Sequence, residues 1–289
     1  MASQILPSSH GELWSLKTKL EASGAMIIEA GEFNWDSSRY LGQGTNGTVY
    51  CMTWNRKDHG DVIQVAAKKT TKVDSNEIEV LMKLKHPNII GYYGVVFKEP
   101  SVFIVMEYAP HGSLDTFLDD RHQAGNMLPL NQVLQWCTNL ALAVKYLHDK
   151  DLVHRDIKAS NCLICQDGEL KLCDFNDARQ LATTVSTEQR GSLPWMAPEV
   201  MSEKKFSKKS DIYSLAVVFW QILTCQVPYA DRQTGVQIMW CVCTKNERPS
   251  IPQGCPDEFA ALMSDGWKEK WSERPDISQI LKRLSSVPT

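Results

Sequence analysis

The chain has 289 residues, 43% hydrophobic and 22% charged, proportions that suit a globular protein with a substantial core. Its 31 Lys plus Arg against 34 Asp plus Glu give a formal charge of −3, which argues against nucleic acid as a partner. Nine cysteines at irregular spacing form no disulfide framework, and no apolar run reaches the roughly 18 residues of a membrane span, so a cytoplasmic protein without a membrane partner is expected.

In chain order, residues 1–34 form an N-terminal extension in which Leu13, Leu16 and Leu20, with Trp14, predict one amphipathic helix packed on the main domain. The first twenty residues lack the basic cluster and compact apolar stretch of a secretory leader. Residues 35–108 are strand-rich. Val49-Tyr50-Cys51-Met52 and Val62-Ile63-Gln64-Val65-Ala66 are β-like runs, split by a turn-prone stretch from Asn55 to Gly60. A helix starts at Asp74 or Ser75, with Ile78, Leu81, Met82 and Leu84 inward. It ends before His86-Pro87, because the residue before proline is pushed out of helical geometry.

From 109 to 285 the texture becomes helical. Val133, Leu134, Trp136, Cys137, Leu140, Ala141, Val144 and Leu147 recur at helical spacing over 130–149, and 211–225 is apolar nearly all round, as in a buried helix. The close pairs Cys162/Cys165 and Cys241/Cys243 lack further ligands at zinc spacing and read as small core residues. A β-rich part followed by helices predicts an α+β fold of two lobes with a cleft between them.

The segment Leu41-Gly42-Gln43-Gly44-Thr45-Asn46-Gly47-Thr48-Val49 carries glycines at G-x-G-x-x-G spacing, which lets a backbone approach phosphate oxygens. A strand pattern follows Gly47, not the helix of a dinucleotide fold, and no Gly-Lys-Ser/Thr follows as in a Walker loop. Nineteen residues past Val49, Lys68 sits in an apolar strand, where a buried ammonium needs partners. Nucleotide phosphates and a carboxylate of the next helix are the natural ones. Glu77 is favoured over Glu79 because it shares a face with Leu81 and Leu84.

His154-Arg155-Asp156-Ile157-Lys158-Ala159-Ser160-Asn161 is the most specific string. Phosphoryl transfer needs an aligned hydroxyl and neutralised phosphoryl oxygens. Asp156 is expected to orient the hydroxyl and take its proton, Lys158 to sit by the transferred phosphate, and Asn161 to ligate Mg2+. Thirteen residues on, Asp174 in Leu172-Cys173-Asp174-Phe175-Asn176 offers a second metal ligand. Glu199 of Ala197-Pro198-Glu199 is expected to pair with Arg274, and Asp211 to brace the catalytic loop.

Together these motifs resemble the protein kinase superfamily over residues 35–285. Lys158, two after the catalytic Asp, is similar to serine/threonine kinases. The short link from Lys68 to Glu77, Gly191-Ser192-Leu193-Pro194-Trp195-Met196 and Asn246-Glu247-Arg248 resemble the mixed-lineage group, above all its zipper- and sterile-α-motif-bearing branch. The resemblance implies ATP and Mg2+ as cofactors and a protein substrate, with downstream MAP kinase kinases as candidates and dimerisation left open. It implies Met106 as gatekeeper, Glu107 to Ala109 as the hinge at adenine, and Val49, Ala66 and Leu163 around the adenine ring. Leu81, Tyr92, His154 and Phe175 would form an internal spine.

Two departures stand out. Asn176 replaces the family's glycine after Asp-Phe. Asn tolerates left-handed backbone, so the swap is expected to cost about 1 kcal/mol and to restrict a backbone flip. It also keeps open the reading of a non-catalytic scaffold. In the activation segment, Thr183, Thr184, Ser186 and Thr187 are candidate phosphosites facing Arg155, and Glu188 stands where relatives carry a regulated serine, supplying charge without modification.

Overall fold

A computed structural model describes residues 10–44, 47–70, 75–180 and 192–288. The chain divides between Pro110 and His111 into two units.

The first unit is built on a six-stranded sheet of β1 (Ile27–Ile28), β2 (Phe33–Gly44), β3 (Gly47–Arg56), β4 (Asp61–Thr70), β5 (Tyr92–Lys98) and β6 (Ser101–Glu107), in the order β1-β5-β6-β4-β3-β2. All pairs are antiparallel except β1 with β5. The β-rich runs around Val49 and Val62 lie within β3 and β4, as their alternation predicts. One face buries Met52, Trp54, Val65, Ala67, Phe103 and Val105 in a common core. The glycine-rich segment is the β2–β3 hairpin, closed by Gly44 opposite Gly47. Gly47 has φ 149, and a Cβ there would stand 2.2 Å from the Lys69 carbonyl oxygen, so the close passage of β4 requires glycine.

Helix α1 (His10–Ala22) buries Leu13 and Leu20. Trp14 departs from the expected apolar face: it is 71% exposed, because a neighbour of Leu13 is turned about 100° away on a helix. Helix α2 (Ser75–Lys83) buries Ile78 and Leu81, and the chain leaves it before Pro87. There the Asn88 amide donates to His86 Nδ1 at 3.1 Å.

The second unit contains α3 (Leu114–Gln123), α4 (Leu130–Asp149), α5 (Pro198–Glu203), α6 (Lys208–Thr224), α7 (Gly235–Cys243), α8 (Asp257–Gly266) and α9 (Ile277–Leu284). Short strands β7 (Leu152–Val153), β8 (Cys162–Ile164), β9 (Leu170–Leu172) and β10 (Arg179–Gln180) form two small ribbons, β8 with β9 and β7 with β10. Helix α6 is the axis. It is buried along nearly its whole length and packs against α4 and α8, which is why its sequence lacks a polar face. Ser207 caps it, accepting from the Lys209 amide and donating its own amide to Ser210 Oγ. The cap fixes where the helix begins and so where Asp211 lies.

Among the described residues, no helix is long and apolar enough to cross a membrane.

Candidate active site

In the first unit, strand register groups the residues picked out from sequence. Val49 pairs with Lys68, which pairs with Ile104, and Cys51 pairs with Ala66, which pairs with Met106. Side chains alternate along strands, so Val49, Ala66, Lys68 and Met106 share the face opposite the Val65–Ala67–Val105 core. Leu41, Gly42, Gln43 and Gly44 end β2, and Thr48 opposes Gln43 across the hairpin. Among the described residues, a Cβ at Gly42 would meet nothing within 4 Å.

Glu107 ends β6, its amide donating to the Gly91 carbonyl at 2.8 Å and its Oε2 accepting from the Gly91 amide at 3.1 Å. This exchange holds the start of the expected hinge, and Ala109 follows, buried. Burial pushes the Tyr92 hydroxyl up to about 12, so it stays protonated near neutrality. Thr45 and Asn46 lie outside the described residues, as does the Glu77 side chain expected to meet Lys68.

In the second unit, Asp211 organises the loop that runs from His154 to Asn161. Its Oδ2 accepts from the His154 amide at 3.0 Å and lies 2.9 Å from His148 Nε2, while Oδ1 accepts from the Arg155 amide at 3.0 Å. The carboxylate is 1% exposed and receives donors from two elements, so burying it is tolerated. Held this way, Arg155 adopts left-handed backbone with φ 72, and its guanidinium stacks 4.9 Å from the Phe206 ring. The turn delivers Asp156.

The Lys158 ammonium lies 2.7 Å from Asp156 Oδ2. Asn161 Nδ2 donates to the Asp156 carbonyl at 2.8 Å and to Asp156 Oδ2 at 3.1 Å, which leaves its amide oxygen for another task. Ser192, which has no role on sequence grounds, completes the group. Its amide donates to Asp156 Oδ1 at 3.2 Å and its hydroxyl accepts from Lys158 Nζ at 2.8 Å. The only signal for it in the sequence is a hydroxyl residue directly after Gly191 and before Leu-Pro-Trp.

Helix α6 also anchors that segment. Gln221 Oε1 accepts from Trp195 Nε1 at 3.1 Å and Ser214 Oγ donates to the Trp195 carbonyl at 2.7 Å. One buried helix thus fixes both sides of Asp156.

Asp174 follows β9. The Cys173 amide donates to the Asn161 carbonyl at 2.9 Å, and the Cys173 carbonyl lies 3.2 Å from His154 Nε2, tying the two motifs together. Phe175 is buried and meets the His154 ring edge-on at 5.0 Å. The left-handed backbone belongs to Asp174, at φ 62, and not to Asn176. The expected cost of asparagine at this position therefore does not arise. Asn176 Nδ2 instead donates to Asp174 Oδ1 at 2.5 Å.

Leu163, on β8, pairs with Lys171 and bridges Ser113. Next to it, burial and the nearby Asp115 charge push the Cys162 thiol up, and the thiol donates to the Lys158 carbonyl at 3.3 Å. Cys162 therefore packs the loop as a protonated thiol. Arg274 and Glu199 form a buried bidentate pair at 2.7 and 2.8 Å. Thr183, Thr184, Ser186, Thr187 and Glu188 lie outside the described residues.

A family model described as protein tyrosine and serine/threonine kinase matches residues 36–284. The chain belongs to this kinase family. It is 33% identical over 278 residues to mitogen-activated protein kinase kinase kinase 13 of Bos taurus, covering 95% of this chain and 27% of that protein. It is 34% identical to mitogen-activated protein kinase kinase kinase 12 of Rattus norvegicus over 85% of this chain and 27% of that protein. With mitogen-activated protein kinase kinase kinase 11 of Homo sapiens it shares 34% identity over 86% of this chain and 30% of that protein. The chain thus spans less than a third of the length of these relatives, which belong to the mixed-lineage kinase group that the sequence motifs resemble. Its β-rich first part and helical second part are those of the two-lobe kinase fold.

Proposed function

We propose that the chain is an ATP-dependent protein kinase that transfers the γ-phosphoryl group to serine and threonine hydroxyls of protein substrates. The observation that carries this is the Asp156–Lys158–Ser192 triangle, in which one ammonium is held by a carboxylate at 2.7 Å and a hydroxyl at 2.8 Å.

Asp156 accepts from the Ser192 amide through Oδ1 and from Lys158 and Asn161 through Oδ2, so its rotamer is fixed. Each carboxylate oxygen has more than one lone pair, which leaves capacity for a substrate hydroxyl. Asp156 would orient that hydroxyl and accept its proton as the oxygen bonds to the γ-phosphorus and the bond from that phosphorus to the β–γ bridging oxygen breaks, with ADP as the leaving group. The Lys158 ammonium neutralises charge on the phosphoryl group in flight. Lys68, on the sheet face shared with Val49, Ala66 and Met106, holds the other phosphates, paired with Glu77. The β2–β3 hairpin from Leu41 to Val49 would cover them, Glu107 and Ala109 would hydrogen-bond adenine, and Leu163 would supply an apolar contact for it.

The Asn161 amide oxygen and the Asp174 carboxylate are hard oxygen donors of the kind Mg2+ takes. Bound there, Mg2+ neutralises phosphate charge. The scaffold reading, which rests on Asn176, is not favoured, since a kinase family model matches residues 36–284 and the similar proteins are named as kinases.

The relatives' names describe kinases of MAP kinase kinases. We assign the same substrate class here, in the cytoplasm, with Thr183, Thr184, Ser186 and Thr187 as regulatory phosphosites and Glu188 as a fixed charge among them. The test is transfer of labelled phosphate from Mg-ATP to a recombinant MAP kinase kinase, followed by phosphoamino-acid analysis. Phosphoserine and phosphothreonine are expected; label confined to tyrosine would contradict the proposal.

A further inference from the structure

We infer that Asn176 is a positioning residue that holds the Asp174 carboxylate ready for its metal, a role glycine cannot perform. The inference rests on the reading of Asp174 as an Mg2+ ligand.

Three contacts carry it. The Asn176 side-chain amide donates to Asp174 Oδ1 at 2.5 Å. The Asn176 carbonyl accepts from Arg179 Nη1 at 2.8 Å, and the same nitrogen donates to the Ala178 carbonyl at 2.8 Å. Arg179 is itself fixed in register, in β10 opposite Val153, the residue before His154. Asn176 therefore bridges from the strand beside the catalytic loop to the metal aspartate. Between them Phe175 is buried against His154, so the backbone on both sides of Asn176 is anchored.

The chemistry explains the advantage. A carboxylate on a turn can rotate about χ2, and metal binding must fix that rotation. A donated amide hydrogen occupies one lone pair of Oδ1 and fixes the carboxylate plane, while a carboxylate has further lone pairs with which to meet a cation. Ligands oriented by neighbouring hydrogen bonds bind metal more tightly than unsupported ones. Asn176 is outside the left-handed region, so alanine fits its backbone and the side-chain effect can be isolated.

The test compares wild type with Asn176→Ala and Asn176→Gly in a thermal-shift titration of Mg2+ at fixed ADP, with ADP binding also measured without metal. Both variants should need about tenfold more Mg2+ for half of the metal-dependent shift, the lower end of the loss seen when a residue orienting a metal ligand is removed. Metal-free ADP affinity should stay within about twofold, a split that general loosening of the fold would not produce. A half-saturating Mg2+ concentration unchanged or lowered in both variants overturns the inference. Asp174→Asn separates the two levels. If it responds to Mg2+ as wild type does, the metal reading of Asp174 fails and takes the inference with it. If Asp174→Asn loses the response while the Asn176 variants keep it, only the inference fails.

Discussion

Ser192 reaches Asp156 through Lys158: its hydroxyl accepts from the lysine at 2.8 Å, and the same ammonium lies 2.7 Å from Asp156. The Ser192 amide also donates to Asp156, so backbone and side chain act on the same carboxylate by separate routes. The side-chain route is the one a substitution can remove cleanly.

Ser192→Ala is expected to lower kcat about tenfold, the scale of one hydrogen bond to a charged group. The KM for ATP should change little, because the lost contact orients Lys158 rather than binding nucleotide. Ser192→Thr keeps the hydroxyl and should retain most activity. Steady-state kinetics of the two variants check this, and equal loss in both would point to packing instead.

Arg274 is 2% exposed and directs its guanidinium at Glu199 and at the carbonyls of Lys209, Lys268 and Glu269. Arg274→Ala leaves a buried carboxylate and three carbonyls short of donors. The expected loss of stability is about 3–5 kcal/mol in urea unfolding. A loss under about 1 kcal/mol would mean that water replaces the guanidinium.

His86 gives the first unit a pH dependence. Burial holds its pKa below the usual value, and its Nδ1 accepts from the Asn88 amide, a bond only the unprotonated nitrogen can make. With the folded pKa below the unfolded value of about 6.5, the unfolded chain takes the proton first. The stabilisation is present above about pH 6.5 and is lost as pH falls through the folded pKa. Unfolding free energy should therefore drop between about pH 7.5 and 5.5, and His86→Gln should flatten that slope. Parallel slopes for the two proteins would contradict the assignment.

Most of the fold is legible in the sequence because periodicity and burial coincide in it. The spacing over 130–149 matches α4, the apolar run at 211–225 falls on α6, and the β-like runs lie in β3 and β4. Trp14 is the exception: grouping a large apolar side chain with its neighbours ignores the step of about 100° between successive helical residues. The Arg274–Glu199 pair and the Asp211 brace are expected from the kinase-like motifs, and both are present in the fold. Ser192 is not expected from them, since a serine beside a glycine is compatible with any turn. Asn176 illustrates the harder limit. The sequence has a non-glycine residue where backbone freedom is expected, but which residue of the Asp-Phe-Asn turn carries positive φ depends on anchors at His154 and Arg179, far apart in the chain.

The most direct test of the catalytic proposal is Asp156→Asn. Phosphate transfer from labelled Mg-ATP to a protein substrate should fall about a thousandfold, within the range for removal of a general base. The thermal shift on Mg-ATP binding should persist, because Asp156 acts on the acceptor hydroxyl and not on the nucleotide. Transfer within a few-fold of wild type would contradict the account.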